Sequence, residues 1–273
     1  MKHYIRYLLV LLFMVLGGQS LSAAERQNLF DWYYSAVFGT GSYSIGNRDV
    51  FVITIPYENQ LRPATEEKYE ILWQVPVTLG FYDYEWQDVG DLEIPTDVAT
   101  LTILPGIQYI IPLSDSWTIK PFANLGYGKE FDGGEEAWIY SAGIRTLYKI
   151  RQDKWRISFG SALYYAGNTQ KDKTDLGFAA FEAAIDINHA TAWKLNEQQV
   201  YLGGYAAMYI FSNLEFIQSE DTSIEISDQY ELGLTLSAAN ELKIMGLEME
   251  RIGLGYLFAK DFHAVRLVFS FPY

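Results

Sequence analysis

The chain has 273 residues, no cysteine and a formal net charge of −14 at pH 7, with 21 tyrosines, 16 phenylalanines and 7 tryptophans. The lack of cysteine excludes a disulfide framework, and the acidic balance argues against a nucleic-acid binder, which would present a basic stripe. The abundant tyrosine and tryptophan suit a membrane–water interface, because each of these side chains has one polar and one apolar end.

The first 24 residues predict a cleaved signal peptide. Lys2 and Arg6 form a basic start, and the apolar run at residues 8–16 is shorter than the roughly 20 residues that a membrane-spanning helix needs. The small residues at 22–24 predict cleavage after Ala24, so the protein is expected to be exported. Loss of Lys2 and Arg6 with residues 1–24 would change the net charge from −14 to −16.

The rest of the chain predicts a closed barrel of strands. Residues 25–34 are the only stretch that favours a helix, and residues 35–273 alternate in polarity at intervals near 20 residues. Alternation with a period of two is typical of strands. No mature segment offers 18 consecutive apolar residues, and strands cross a membrane only as a closed barrel. At about 21 residues for a strand and its connection, there is room for about twelve strands.

The predicted strands follow one another along the whole of this region. They lie at residues 35–45, 50–57, 69–81, 98–111, 117–127, 138–148, 155–165, 176–189, 200–211, 229–237, 244–258 and 262–273. Pro56, Pro76, Pro105 and Pro121 fall near or inside strands. Because proline cannot donate a ladder hydrogen bond, they predict either bulges or strand boundaries that differ from these ranges.

The predicted connections alternate in length. Counted back from the last strand, every second connection is short, at residues 238–242, 195–199, 150–154 and 112–116. The connections between them are mostly longer, with residues 259–261 and 58–68 as exceptions. Outer-membrane barrels have short periplasmic turns and longer outer loops, so the alternation favours a barrel whose chain ends on the periplasmic side. A soluble sandwich has no reason to alternate in this way.

Three of the longer connections are strongly acidic. Residues 82–97, 128–137 and 212–228 together carry −14 of the mature charge of −16. Their acids include Asp83, Glu85, Asp88, Asp91, Glu93, Glu135, Glu136, Glu220 and Asp221. One interpretation is that these loops are simply a solvated surface. The other is that they form an outer rim, which contacts lipopolysaccharide through divalent cations or binds a cationic ligand.

Along each strand, polar residues alternate with apolar ones, and we expect the polar positions (the polar parity) to face the barrel lumen. The charged residues at these positions are Lys120, Arg145, Arg156, Glu182, Asp186, Glu231 and Arg266. One interpretation is a lumen packed with mutually compensating charges, because an unpaired buried charge is costly. The other is a selectivity lining for small solutes. A plug formed by residues 25–34 would close such a pore.

The sequence offers little for catalysis or metal binding. The mature chain has two histidines, His189 and His263, and both fall on the apolar parity of their strands. Neither lies in a motif typical of barrel phospholipases, lipid A deacylases or barrel proteases, which leaves only an Asp–His arrangement assembled from distant loops as an enzymatic alternative. Two histidines with scattered carboxylates give no transition-metal spacing. We therefore expect no enzymatic activity, no metal and no cofactor.

The leader, the twelve alternating segments and the terminal pattern of Leu267, Phe269, Phe271 and Tyr273 resemble those of Gram-negative outer-membrane β-barrels. The resemblance implies an all-β, transmembrane, antiparallel up-and-down barrel surrounded by outer-membrane lipid and lipopolysaccharide. It also implies that the terminal aromatic residues are the signal read by the barrel-assembly machinery. This chain ends on Tyr273 where phenylalanine is commoner, with Pro272 in the penultimate place.

The short segment before the first strand is similar to the corresponding part of autotransporter translocator barrels, in which a helix occupies the lumen and leads in from a passenger. Because only residues 25–34 precede the barrel, we expect a solitary, non-enzymatic barrel of this type without a passenger. Two alternatives remain: a porin-like passive channel lined by mixed charges, and a surface adhesion or structural barrel that relies on its acidic loops. The sequence predicts no substrate and no oligomeric state.

Overall fold

The computed structural model describes residues 38–45, 48–62, 69–82, 99–131, 134–171, 176–195, 197–212, 215–219, 222–225, 227–244, 247–260 and 262–270. The predicted signal peptide (1–24), its cleavage site and the predicted helical segment (25–34) lie outside these residues and stay predictions. No helix among the described residues is long and apolar enough to cross a membrane.

The described residues form twelve barrel strands. Their bounds are β1 Gly41–Ile45, β2 Arg48–Ile55 and Glu58–Arg62, β3 Glu70–Gln74 and Val77–Tyr82, β4 Thr100–Ile103 and Gly106–Pro112, β5 Trp117–Glu130, β6 Glu136–Gln152, β7 Trp155–Gln170, β8 Leu176–Leu195, β9 Gln198–Ser212, β10 Asp228–Ile244, β11 Leu247–Ala259 and β12 Phe262–Val268. A separate hairpin, Glu215–Ser219 with Thr222–Glu225, lies between β9 and β10.

Each strand pairs antiparallel with the next strand along the chain, and β1 pairs antiparallel with β12. The sheet therefore closes on itself, and closure leaves no unpaired strand edge. The predicted fold class, an all-β antiparallel up-and-down barrel of about twelve strands, is confirmed.

Three of the four prolines in or near predicted strands separate strand segments. Pro56, Pro76 and Pro105 separate the two segments of β2, β3 and β4. A proline has no N–H to donate, but its carbonyl can still accept, and Leu104 N donates to Pro76 O at 3.1 Å. Pro121 stays inside β5 and pairs with Ile144. The ladders thus continue past each proline.

Two predicted connections differ from the structure. The turn predicted at residues 238–242 is strand, because β10 continues to Ile244 and its register with β11 shifts between Ser237 and Leu242. The shift interrupts the alternation of polarity along the sequence, and an interrupted alternation favours a turn. The first part of the connection predicted at residues 58–68 is also strand, since β2 reaches Arg62. That end of the barrel therefore has shorter connections than predicted.

Most outward-facing residues of the strands are apolar. On three strands this apolar face begins and ends with an aromatic residue: Trp117 and Tyr127, Trp138 and Tyr148, and Trp155 and Tyr165. All six side chains are exposed. The members of each pair are ten residues apart on β5, β6 and β7. Ten residues span about 33 Å along a strand, or about 25 Å along the barrel axis at a tilt near 40°. This is the height of the apolar band of a transmembrane barrel.

Candidate functional site in the barrel interior

The structure places all seven residues of the predicted lumen lining on the inward parity. They are Lys120, Arg145, Arg156, Glu182, Asp186, Glu231 and Arg266, and each is at least partly buried. Residues directly opposite one another on paired strands share a face, so the ladder brings Lys120 beside Arg145 on neighbouring strands. The remaining contacts cross from strand to strand inside the barrel.

Glu231 is the centre of the largest polar cluster. Its carboxylate accepts hydrogen bonds from the hydroxyls of Tyr205 at 2.7 Å and Tyr209 at 2.6 Å, and its Oε2 lies 3.1 Å from Arg266 Nη1. The side chain of Glu231 is 1% exposed and that of Arg266 is 18% exposed. Three donors thus compensate one buried carboxylate, which a buried charge requires.

Glycines make room for this cluster. Gly233 and Gly255 face inward beside the ring of Tyr205, and a Cβ built on either glycine would lie 2.2 Å from a Tyr205 atom. Any larger side chain at these positions would displace the ring. The two glycines therefore let Tyr205 lie flat against β10 and β11, with its hydroxyl at Glu231.

A second buried ion pair joins β8 to β11. Arg251 Nη1 lies 2.9 Å from Asp186 Oδ1, and the two side chains are 9% and 0% exposed. The amide of Asn188 donates to the other carboxylate oxygen of Asp186. Asp186 and Arg251 therefore compensate each other's charge inside the barrel.

Further polar contacts connect the other side of the lumen. Arg145 Nη1 donates to Gln108 Oε1 at 2.9 Å, and its guanidinium lies 3.9 Å from the centre of the Phe122 ring. The hydroxyl of Tyr164 donates to Glu182 at 2.7 Å. Inward-facing charges are therefore tied to polar and aromatic neighbours around the barrel wall.

An apolar cluster lies inside the same barrel. Its members include Phe38, Tyr43, Val50, Val52, Phe178, Phe211, Leu257 and Phe262. The rings of Phe38 and Tyr43 stack with their centres 4.2 Å apart, and the rings of Phe178 and Phe211 meet edge to face at 5.7 Å. Tyr43, Phe178 and Phe262 are at most 1% exposed. Part of the lumen is thus a packed aromatic core.

The prediction omitted several residues of the polar clusters. Arg251, Asn188, Tyr205 and Tyr209 all face the lumen, where they contact Asp186 or Glu231. The position of Arg251 could have been found from the inward glycines at 253 and 255, but Glu248 and Glu250 disturb the alternation on that strand. The tyrosines gave no signal, because an aromatic residue on a barrel strand is usually expected to face lipid.

The structure describes only the first part of the predicted C-terminal assembly signal. Leu267 faces outward and is 42% exposed, whereas Arg266 faces the lumen. Phe269 follows β12, and its carbonyl accepts a hydrogen bond from Arg251 N at 3.1 Å. Phe271 and Tyr273 lie outside the described residues, and the role of the segment in assembly stays a prediction.

The predicted acidic loops are also described in part. Glu136 begins β6 and lies 3.4 Å from Lys129 Nζ, with both side chains about half exposed. Glu135 lies just before β6, and its carbonyl accepts a hydrogen bond from Glu130 N at 2.9 Å. The other seven acids, Asp83, Glu85, Asp88, Asp91, Glu93, Glu220 and Asp221, lie outside the described residues.

Both histidines of the mature chain lie on the outer surface of the barrel. His189 packs against Trp155 with ring centres 4.5 Å apart, and His263 occupies an outward position on β12. Among the described residues, no three His, Asp or Glu side chains come together in a way that could hold a metal ion.

No protein-family model and no curated protein matches the chain. Solved structures do. The β domain of the Bordetella autotransporter BrkA is similar with a TM-score of 0.53 at 9% identity, over 84% of this chain and 95% of that one. The translocator domain of autotransporter NalP from Neisseria meningitidis has a TM-score of 0.52 at 9% identity, over 83% of each chain. LpxR from Salmonella typhimurium reaches 0.46 at 9% identity, over 84% and 90%, too low to support any comparison.

The chain has the fold of an autotransporter translocator barrel. This confirms the resemblance expected from the sequence, and at 9% identity it concerns the fold alone. The described side chains of the interior form paired charges and an aromatic core.

Proposed function

We propose that the protein is an integral outer-membrane β-barrel of the autotransporter-translocator type, non-enzymatic, whose lumen is closed rather than open to solutes. The observation that carries the proposal is the interior, where side chains at the middle of the wall are fully buried. Tyr43 and Asp186 are 0% exposed and Glu231 is 1% exposed. A conducting pore would keep such inward charges in contact with water.

The outer surface supports the membrane location. Large apolar side chains that are at least half exposed face outward from several strands, and they include Trp138, Leu163, Leu202, Leu232, Leu234 and Leu254. A soluble protein rarely exposes a contiguous apolar patch of more than a few hundred Å², because water would drive such a patch to associate. Lipid is the solvent that such a surface requires.

The start of the described chain supports a contribution of residues 25–34 to closure. Phe38 stacks on the inward-facing Tyr43, and the inner side of Gly39 lies beside the guanidinium of Arg266. The chain therefore reaches β1 from inside the barrel. A segment preceding Phe38 would lie in or near the lumen, where it would act as a plug.

The proposal also covers export, orientation and partners. The leader would be cleaved after Ala24, and the end of β12 would face the periplasm, where the terminal aromatic residues would meet the barrel-assembly machinery. The acidic connections would then lie outside the cell, next to lipopolysaccharide. The short connections at 113–116, 153–154 and 196–197 support this orientation, since they all lie at the end of the barrel where β12 ends.

Conductance in planar lipid bilayers tests the closed lumen. We expect the refolded protein, residues 25–273, to insert without steady current steps. Large, steady steps from this protein would contradict the proposal and favour the passive channel. A variant lacking residues 25–34 assigns the cause, because conductance that appears only in this variant indicates a plug, whereas continued silence indicates closure by the side chains of the wall.

The membrane location has a separate test. The folded barrel should resist unfolding in cold detergent and migrate faster on gels than the boiled protein. A protein that stays in the soluble fraction of the cell, with no shift in migration, would contradict the membrane assignment.

A further inference from the structure

The hairpin of β6 and β7 carries the densest group of basic residues in the sequence. Lys149, Arg151, Lys154 and Arg156 are four of the chain's 20 bases within eight residues, accompanied by the single acid Asp153. We call these four residues the basic wall. They lie at the end of the barrel with the shorter connections, opposite the end that bears the acidic loops.

The strand alternation directs this charge toward the mouth of the barrel. Lys149, Arg151 and Arg156 occupy inward positions, whereas Tyr148 and Trp155 face outward. Arg151 lies directly opposite Arg156 in the ladder. Like charges opposite each other repel and destabilise a sheet, so this pairing is unfavourable unless an anion lies between or beside the two groups.

Among the described residues, no ion pair involves the basic wall, and Asp153 of the same hairpin is not paired with any of its four residues. Lys149, Arg151 and Lys154 are exposed, so solvent reaches them. The guanidinium of Arg156 lies 3.7 Å from the centre of the Tyr201 ring, a cation–π contact that fixes its position without neutralising its charge.

We propose that the basic wall binds a soluble anion with several phosphate or carboxylate groups at this mouth of the barrel. Arginine presents a planar fork of donors that matches both groups, and the facing pair of Arg151 and Arg156 can hold two of them. The phosphates of surrounding lipids are a poorer match, because the lipid-facing positions of the same hairpin are Tyr148, Ile150 and Trp155. This activity goes beyond the proposed function and depends on neither the closed lumen nor the membrane.

Calorimetric titration with tripolyphosphate tests the proposal, using the refolded chain in micelles of a neutral detergent. The variant K149Q/R151Q/R156Q should bind about tenfold more weakly, because each exposed charge contact contributes a factor of roughly 1.5 to 5. The matched control is K129Q/K171Q/K260Q, which removes the same charge at the opposite mouth and should bind like the wild type. Heat-modifiable migration verifies that both variants are folded.

Citrate in place of tripolyphosphate distinguishes a carboxylate ligand from a phosphate ligand, and tighter binding of either one supports the site. Equal weakening in the two triple variants would mean attraction by net charge only and would overturn the proposal. Binding that is absent in micelles and appears only on vesicles containing phosphatidylglycerol would also overturn it, in favour of a lipid partner. Neither outcome affects the conductance test of the closed lumen.

Discussion

Replacing Glu231 by alanine tests whether the buried charges of the lumen are held by one another. The change removes the carboxylate that lies 3.1 Å from Arg266 Nη1 and that accepts the hydroxyls of Tyr205 and Tyr209. Breaking a buried ion pair costs about 3–5 kcal/mol, because it leaves one charge uncompensated. Arg266 is 18% exposed, so partial hydration places the expected loss of unfolding free energy near 3 kcal/mol.

The measurement is urea unfolding of the protein refolded in lipid vesicles, followed by tryptophan fluorescence and by gel migration. The double variant Glu231→Ala/Arg266→Ala should be more stable than the sum of the two single losses predicts, with a coupling of about 0.5–3 kcal/mol. Glu136→Ala is the control, since its ion pair with Lys129 is about half exposed and should leave stability unchanged. If Glu231→Ala lowers the free energy of unfolding by less than about 1 kcal/mol, Glu231 and Arg266 are not a buried, mutually stabilising pair.

Two further predictions use matched pairs of substitutions and the same unfolding assay. Ile144→Arg, near the middle of the outward band on β6, should cost about 2–4 kcal/mol, whereas Ile150→Arg, two residues beyond Tyr148 on the same strand, should cost about 0–1 kcal/mol. Equal losses would contradict the assigned band. Gly253→Ala should cost about 1–3 kcal/mol, because its Cβ would lie 2.4 Å from the backbone oxygen of Leu234. A Cβ at Gly204 would have no contact closer than 3.5 Å, so Gly204→Ala should leave the free energy of unfolding unchanged. A loss of stability in both variants would mean that the conformational freedom of glycine, rather than the space for a Cβ, determines the effect.

The sequence predicts the long central strands best. On β5, β6 and β7 the outward-facing positions are apolar apart from Thr146 and Ser161, and they begin and end with an aromatic residue. Alternation and interface preference therefore give the same boundaries. On β10 the shift between Ser237 and Leu242 breaks the period, and a local pattern cannot distinguish such an irregularity from a turn. Strand existence and parity are therefore predictable here, and one hairpin boundary is not.

The interior contacts could not be predicted in the same way. Glu231 and Arg266 are 35 residues apart and lie on strands that are not neighbours, so their contact depends on the register of three strands. On β1 the usual preference is also inverted, since Tyr43 faces the lumen and Ser42 lies on the outward parity. The aromatic core inside the barrel accounts for this inversion, and an aromatic residue packed there is stabilised as it would be in any protein core.

The interior clusters also account for closure at the weakest part of the sheet. The ladder between β1 and β12 has five residue pairs, whereas that between β6 and β7 has sixteen. Inside this seam, Phe38 stacks on Tyr43 and lies 5.9 Å from Phe262, so an aromatic group bridges the first and last strands. Arg266 then ties the last strand to Glu231 on β10. The same interior side chains therefore connect the strands at the short ladder between β1 and β12. Replacing them with smaller residues would widen the lumen and would also weaken the pairing that closes the barrel.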